Sequence, residues 1–283
     1  MFRSILLPIF LFTISLPTSA KTIDWVIVDF APYYILSDQF IGTGRDESVI
    51  SLLEQALPEY TFRRAVFPSS RALLEVSNPN KTYCMLSLYQ SDHRRQHISF
   101  SEESSTLGLS PSVAIHTNLM QLLDLDQQTP QSFSDLLNHK NLTLGISMSR
   151  SYGIEIDKVI NNSADASIII RPGRDTLSSL TYMLKKQRID ILLGYPSEHF
   201  YMAKTMGFDS ELTQLQLKEA SDFSYGYIGC TNTEEGKEHI NVLNTALISV
   251  KQTQAYNDIL LRWLPDNLRP VLAHHLQKNA SRD

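Results

Sequence analysis

The feature that most constrains this chain is an alternation of short β-branched runs with stretches of helical spacing, kept up from residue 22 to residue 263. Residues 22–30 (TIDWVIVDF) read as a strand, ended by Ala31-Pro32 because proline removes a ladder donor. Residues 46–57 place Val49, Ile50, Leu52, Leu53, Ala56 and Leu57 at helical spacing, with Pro58 just beyond. A strand at 60–67, a helix through 71–76 opened and capped by Ser69-Ser70, a turn at Asn78-Pro79-Asn80 and a strand at 83–89 complete a βαβαβ unit. A second α/β run follows, with strands expected at 112–116, 142–146, 167–170, 189–193 and 225–229. Its helices are expected at 132–137, 152–160 and 176–187, before a closing pair at 240–250 and 255–263. The fold class is α/β. Length alone also allows one large sheet, but two half-size α/β units, with the final elements returning to the first, fit the order better.

The first twenty residues set the expected compartment. Arg3 precedes an almost purely apolar run over 5–14, then Pro17 and Thr18-Ser19-Ala20, with small residues at the −3 and −1 positions of a cleavage site. This is the pattern of a secretory signal peptide cleaved after Ala20, too short for a stable membrane span. The mature protein is expected to begin at Lys21, in the periplasm, with no lipid anchor because no Cys follows the site. With 42% hydrophobic and 19% charged residues, the chain can bury a sizeable core. It carries 25 Lys+Arg against 30 Asp+Glu and no basic run, which argues against nucleic acid or anionic lipid as partners. Cys84 and Cys230 are far apart and belong to no CxxC, so no zinc site, and no other metal or cofactor, is indicated. In an oxidising compartment one structural disulfide is the natural reading; two buried free thiols are the alternative.

An ordered set of short motifs then resembles a known family. The strand at 25–30 leads into Ala31-Pro32-Tyr33, similar to an aromatic ligand loop. Residues 42–57 give a glycine, an acidic residue and an amphipathic helix. Ser91-Asp92-His93-Arg94 precedes Ile98-Ser99-Phe100-Ser101, similar to T-x-x-R then hydrophobic-x-F-S/T. Residues 132–136 through 144–146 resemble an S-x-x-D-L … V-G-V opening of a second lobe. Gln187-Arg188-Ile189-Asp190 resembles G-R-I-D, and Tyr256 to Trp263 fits Y-x-x-I-x-x-x-W. The chain thus resembles, over nearly all of its mature length, the type 2 periplasmic solute-binding proteins of the polar-amino-acid (family 3) kind. The resemblance implies two α/β lobes joined by two crossovers, with a ligand cleft between them that closes by hinge motion. Lobe 1 would be 21–109 plus 223–283, and lobe 2 110–222. It also makes the strands of Cys84 and Cys230 neighbours in lobe 1, so that a disulfide there is expected.

The resemblance assigns a ligand carboxylate to Arg94, whose planar fork donates two parallel hydrogen bonds. Arg95, next to it, reads as a surface residue. Phe30 and Tyr33 would stack on the ligand or pack in the core. Ser87 would contact ligand from the third strand. Ser149, Arg150 and Ser151 precede a helix whose free amides suit an anion, although Ser151 equally suits a helix cap. Arg71 faces either the cleft or solvent. Relatives that bind α-amino acids carry an Asp after the second-lobe strand, where this chain has Tyr195. A neutral Tyr does not replace an ion pair, so a small, anionic ligand other than a standard α-amino acid is expected. Glu198, or Asp29 after the first strand, is the alternative partner for a ligand ammonium.

Catalytic signals are weak. Residues 145–149 (GISMS) lack the final Gly of a G-x-S-x-G elbow, and His93 and His97 belong to no HExxH. The expected role is a non-enzymatic, monomeric receptor serving an ABC permease. A receptor for a membrane sensor and a small periplasmic lyase on the same fold are the alternatives.

Overall fold

The computed structural model describes residues 21–139, 141–148, 150–173 and 175–280, with 279 and 280 as backbone only. The expected signal peptide and Ser149 lie outside the described residues. Two five-stranded sheets are present. The first contains β1 (Lys21–Val28), β2 (Tyr60–Phe67), β3 (Cys84–Leu88), β4 (Ile98–Leu109) and the late strand β10 (Phe223–Thr231), in the order β2-β1-β3-β10-β4. The second contains β5 (Ser112–His116), β6 (Thr143–Ser147), β7 (Ser167–Arg171), β8 (Ile191–Gly194) and β9 (Leu212–Gln216), in the order β7-β6-β8-β5-β9.

Both sheets repeat one design. β1 pairs parallel with β2 and β3, as the βαβ alternation requires, and β6 does the same with β7 and β8. The fourth place is taken by the strand that enters from the other lobe: β10 runs antiparallel to β3 and β4, and β5 antiparallel to β8 and β9. The chain crosses between the two sheets at 109–112 and at 216–223. The crossings lie side by side, with the Ser110 amide donating to the Asp222 carbonyl at 3.4 Å and the Ser110 and Ser221 hydroxyls 3.0 Å apart.

In lobe 1, helices α1 (Arg45–Ala56), α2 (Ser69–Val76) and α9 (Glu234–Lys251) cover the sheet over a core that includes Trp25, Ile50, Leu53, Leu86 and Leu243. The short α3 (Asp92–Arg95) precedes β4, while α10 (Gln254–Leu261) and α11 (Arg269–Ala280) close the chain over the same lobe. In lobe 2, α4 (Thr117–Leu122), α5 (Phe133–Asn138), α6 (Ile154–Asn162), α7 (Thr176–Lys185) and α8 (Pro196–Thr205) surround the second sheet. Side chains alternate across a strand, so Val113, Ile115 and Leu193 pack on one face and Ala114 and Leu192 on the other. Burial on both faces explains why these strands read as unbroken apolar runs.

Three sequence expectations are corrected. Pro68 stands at the N-cap of α2 and no side chain caps it, because Ser69 is already helical. Gly153, with φ of 104°, stands at the N-cap of α6, and Ser151 lies two residues earlier. The alternation also omits β4, whose central residues SEESS are polar; pairing with β10 holds it as a 12-residue strand.

Cys84 and Cys230 face each other across β3 and β10 and are disulfide-bonded. Their Cα atoms are 4.0 Å apart, closer than the roughly 4.4–6.8 Å usual for such pairs.

Candidate functional site

In open α/β sheets, ligand crevices form beyond the carboxyl ends of the parallel strands. Here four such ends converge. β1 runs into a turn in which the Ala31–Pro32 peptide is cis and the Tyr33 amide donates to the Phe30 carbonyl at 3.0 Å. β3 delivers Ser87 and Tyr89, β6 leads to Arg150, and β8 to Tyr195. With Arg45, the first residue of α1, these side chains line a cavity of about 300 Å³ between the lobes.

The second-lobe wall is built on Glu198, 1% exposed in the first turn of α8. Its carboxylate accepts Arg150 Nη1 at 3.0 Å and Nη2 at 2.5 Å, the Tyr33 hydroxyl at 2.9 Å and the Tyr195 amide at 3.2 Å. An ionised carboxylate has about four lone-pair sites, and these four bonds fill them. The Arg150 guanidinium is framed by the rings of Phe30, Tyr152 and Tyr195, at 5.5, 5.4 and 5.1 Å. Burial opposes its charge, but the paired Glu198 outweighs burial and raises its pKa. Burial, and then the Glu198 charge, raise the Tyr33 phenol well above its ordinary value. Burial and the neighbouring Tyr89 do the same for Tyr195. Both phenols are therefore neutral hydrogen-bonding groups at neutral pH. The Tyr89 hydroxyl bridges the lobes, 2.9 Å from the Tyr195 hydroxyl and 2.6 Å from that of Ser224.

The first-lobe wall centres on Arg45. Its Nε donates to Asp46 at 2.8 Å, its Nη2 to the Ser87 hydroxyl at 3.0 Å, and its guanidinium lies 4.4 Å from the Tyr33 ring centroid. Ser87 adopts a positive φ of 59°, which is uncommon for a residue other than glycine, and its hydroxyl lies 2.7 Å from that of Thr106. Gly226 makes this possible: a Cβ there would stand 2.6 Å from both Ser87 Cα and the Thr106 hydroxyl. The same lining includes an apolar set from the first lobe, Leu107, Leu109, Ile259, Leu260, Leu264 and Leu272.

Of the residues singled out in the sequence, Phe30, Tyr33, Ser87, Arg150, Ser151 and Tyr195 line this cavity. Arg94 does not: it donates through Nη1 to the Tyr89 carbonyl at 2.9 Å. Arg71 is exposed and pairs with Glu75 at 2.6 Å, one helical turn along α2. Glu198 stands behind Arg150 instead of facing the cavity, and Asp29 is exposed outside it. The Ser151 hydroxyl bonds the Asp157 carboxylate, which also accepts the Tyr152 amide at 2.9 Å, so protein groups already occupy this corner of α6. Sequence reasoning missed Arg45 and Tyr89. Arg45 lies inside the segment recognised as the start of a helix, where its spacing marks it only as polar.

No protein-family profile matches the chain, and no curated protein matches it in sequence. Solved structures do match in shape. A probable amino-acid ABC transporter extracellular-binding protein, ytmK of Bacillus subtilis, is 15% identical over 88% of this chain and 99% of its own, with a TM-score of 0.66. An ancestral arginine-binding protein bound to arginine is 14% identical over 86% and 98%, with a TM-score of 0.61. A histidine kinase sensor domain with similarity to periplasmic binding proteins is 11% identical over 86% and 96%, also at 0.61. Two mixed sheets of one design, joined by paired crossings around a cleft, together with these likenesses, give this chain the two-lobed fold of the type 2 periplasmic binding proteins.

Proposed function

We propose that the protein is an exported solute-binding receptor that closes on a small polar, anionic molecule and passes it unchanged to an ABC-type uptake system. The observation that carries this reading is a cavity lined from both lobes, with side-chain bonds spanning the cleft from Tyr33 to Glu198 and from Tyr89 to Tyr195. In this reading the lobes divide at 109/110 and 222/223, and the mature protein works in the periplasm. Similarity in fold to transporter binding proteins supports it.

The ligand is not a standard α-amino acid. Glu198 has no lone pair left for an ammonium, and an ammonium beside Tyr195 would face the Arg150 guanidinium, a like charge. A receptor that presents its liganded state to a membrane sensor is the second reading, supported by the likeness to a kinase sensor domain. A lyase needs a base in the cleft, and a saturated Glu198 beside two neutral phenols is a poor one.

The test is native purification, mass spectrometry of the released small molecule, and a thermal-shift screen. A true ligand at a hundred times its dissociation constant adds about 2.7 kcal/mol of stability. It is recovered chemically unchanged. Conversion of the ligand, or no stabilisation by any small molecule, would overturn the reading. Adjacent permease and ATPase genes would favour transport, and an adjacent sensor gene would favour signalling.

A further inference from the structure

We propose that Arg45, not Arg94, receives the ligand's anionic group, and that the remainder of the ligand is apolar: the ligand class is a monocarboxylate with an aliphatic or aromatic body. This rests on the receptor reading above and narrows its anionic ligand to one whose charged group is its only polar part.

The cavity holds two cationic side chains, and they differ in how their terminal nitrogens are used. Each terminal nitrogen of Arg150 gives one of its two N–H bonds to Glu198, and the pair holds its guanidinium against the second lobe. Arg45 commits Nε to Asp46 and Nη2 to Ser87, and among the described residues its Nη1 makes no hydrogen bond. That nitrogen lies over Gly108, 3.6 Å from where a Cβ would stand, at the edge of the apolar wall. A second donor belongs to the same lining. The Tyr34 hydroxyl belongs to a residue that lines the cavity and is 1% exposed, and among the described residues its proton has no acceptor. A buried polar group left unpaired costs free energy unless something else supplies its partner. A carboxylate has the acceptors for both donors. The same cavity is lined by Leu107, Leu109, Ile259, Leu260, Leu264 and Leu272, which offer a ligand no hydrogen bonds from their side chains. Water gains little from such a wall, whereas a hydrocarbon body gains the full hydrophobic benefit. A dicarboxylate or sugar would bury polar groups against it without compensation.

The probes are straight-chain monocarboxylates from butanoate to octanoate and phenylacetate. L-amino acids, succinate and glucose serve as comparisons, all by calorimetry on the full mature chain. The expected result is binding of the monocarboxylates, tightening about fourfold per added methylene until the wall is filled. Gly108→Ala is the decisive variant. Its added methyl makes an ordinary 3.6 Å contact with Arg45 Nη1, so the fold is retained while the free donor is covered. It should weaken monocarboxylate binding about tenfold or more, and Arg45→Gln should do so further. Arg94→Ala should leave binding within about twofold. If succinate, glucose or a free amino acid binds and the monocarboxylates do not, the receptor reading stands and this proposal is overturned. An amino acid whose binding is lost in Asp46→Asn would overturn it in the same way. It is also overturned if Gly108→Ala binds monocarboxylates as well as the native protein, or if Arg94→Ala abolishes binding. If no small molecule of any class binds, the receptor reading falls with it.

Discussion

His199 shows how one side chain ties the site to solution conditions. It follows Glu198 in α8, is 2% exposed, and its Nε2 lies 3.3 Å from the Ser112 carbonyl oxygen. Burial pulls its pKa from 6.5 down to about 4, against the upward pull of Glu198. The native ring is therefore neutral at pH 7. Between about pH 4 and 6.5 the unfolded chain binds a proton that the native protein refuses. The stability from this residue is complete above about pH 6.5 and is lost as pH falls toward 4, a loss of about 3 kcal/mol. Urea unfolding at pH 7, 5.5 and 4 should show His199→Gln losing less stability than the native protein over that range. Parallel losses in the two proteins would remove this role from His199.

At the scale of elements, the disulfide joins the third strand to the strand that returns from lobe 2. It closes a loop whose ends are 146 residues apart. In the chain-entropy account a loop of this length restricts the unfolded state by about 4–5 kcal/mol. The Cys84→Ala/Cys230→Ala double variant should lose about 2–5 kcal/mol in chemical denaturation. Adding reductant should bring the native protein close to the variant. Alkylation of unreduced protein should find no free thiol, and two labelled cysteines would exclude the bond in solution. Glu47 acts over a shorter range: its carboxylate accepts the Ile35 amide at 2.7 Å and the Gly44 amide at 3.3 Å, fastening the segment after β1 to the start of α1. This contact ties the helix that carries Arg45 to the segment that follows the Tyr33 turn.

For the whole molecule, the question is what holds the lobes together. Beyond the cavity, Ile35, Phe40 and Trp263 of lobe 1 pack on Tyr201 and Met202 of lobe 2. The Trp263 ring stands edge-on to Tyr201 at 4.9 Å and to Phe40 at 5.1 Å, and the Tyr201 hydroxyl donates to Asp38. If the lobes part by bending at the paired crossings, as the proposed receptor function requires, this contact is the one that must break. Tyr201→Ala removes the aromatic pairs of Tyr201 with Trp263 at 4.9 Å and with Phe40 at 6.0 Å, each worth about 0.5–1.5 kcal/mol, and should weaken the closed state by roughly 1–3 kcal/mol. Small-angle X-ray scattering of unliganded protein should then show a larger radius of gyration than native, and ligand affinity should fall roughly tenfold. An unchanged radius would mean that the bonds across the cavity alone hold the lobes.

Much of the architecture was legible in the chain because helix and strand burial is a local, periodic property. The runs at 22–30, 60–67 and 112–116 announce strands, and the spacing at 46–57 announces α1, since one face of each must be buried. The order of these elements was enough to expect two α/β units. Phe30, Tyr33, Ser87, Arg150 and Tyr195 were legible as candidates because they sit at strand ends or in recognisable motifs. Their meeting in one cavity was not legible, and neither was the polar strand β4, which exists only because β10 pairs with it. The choice among Arg45, Arg71, Arg94 and Arg150 was beyond local pattern for the same reason. An arginine's role depends on which partners its nitrogens find, and here those partners lie from one to 48 residues away in the chain. Local sequence determined the elements; convergence of four strand ends from two sheets decided which charges face the cavity and which are already paired, because that pairing is a property of distance in space and not along the chain.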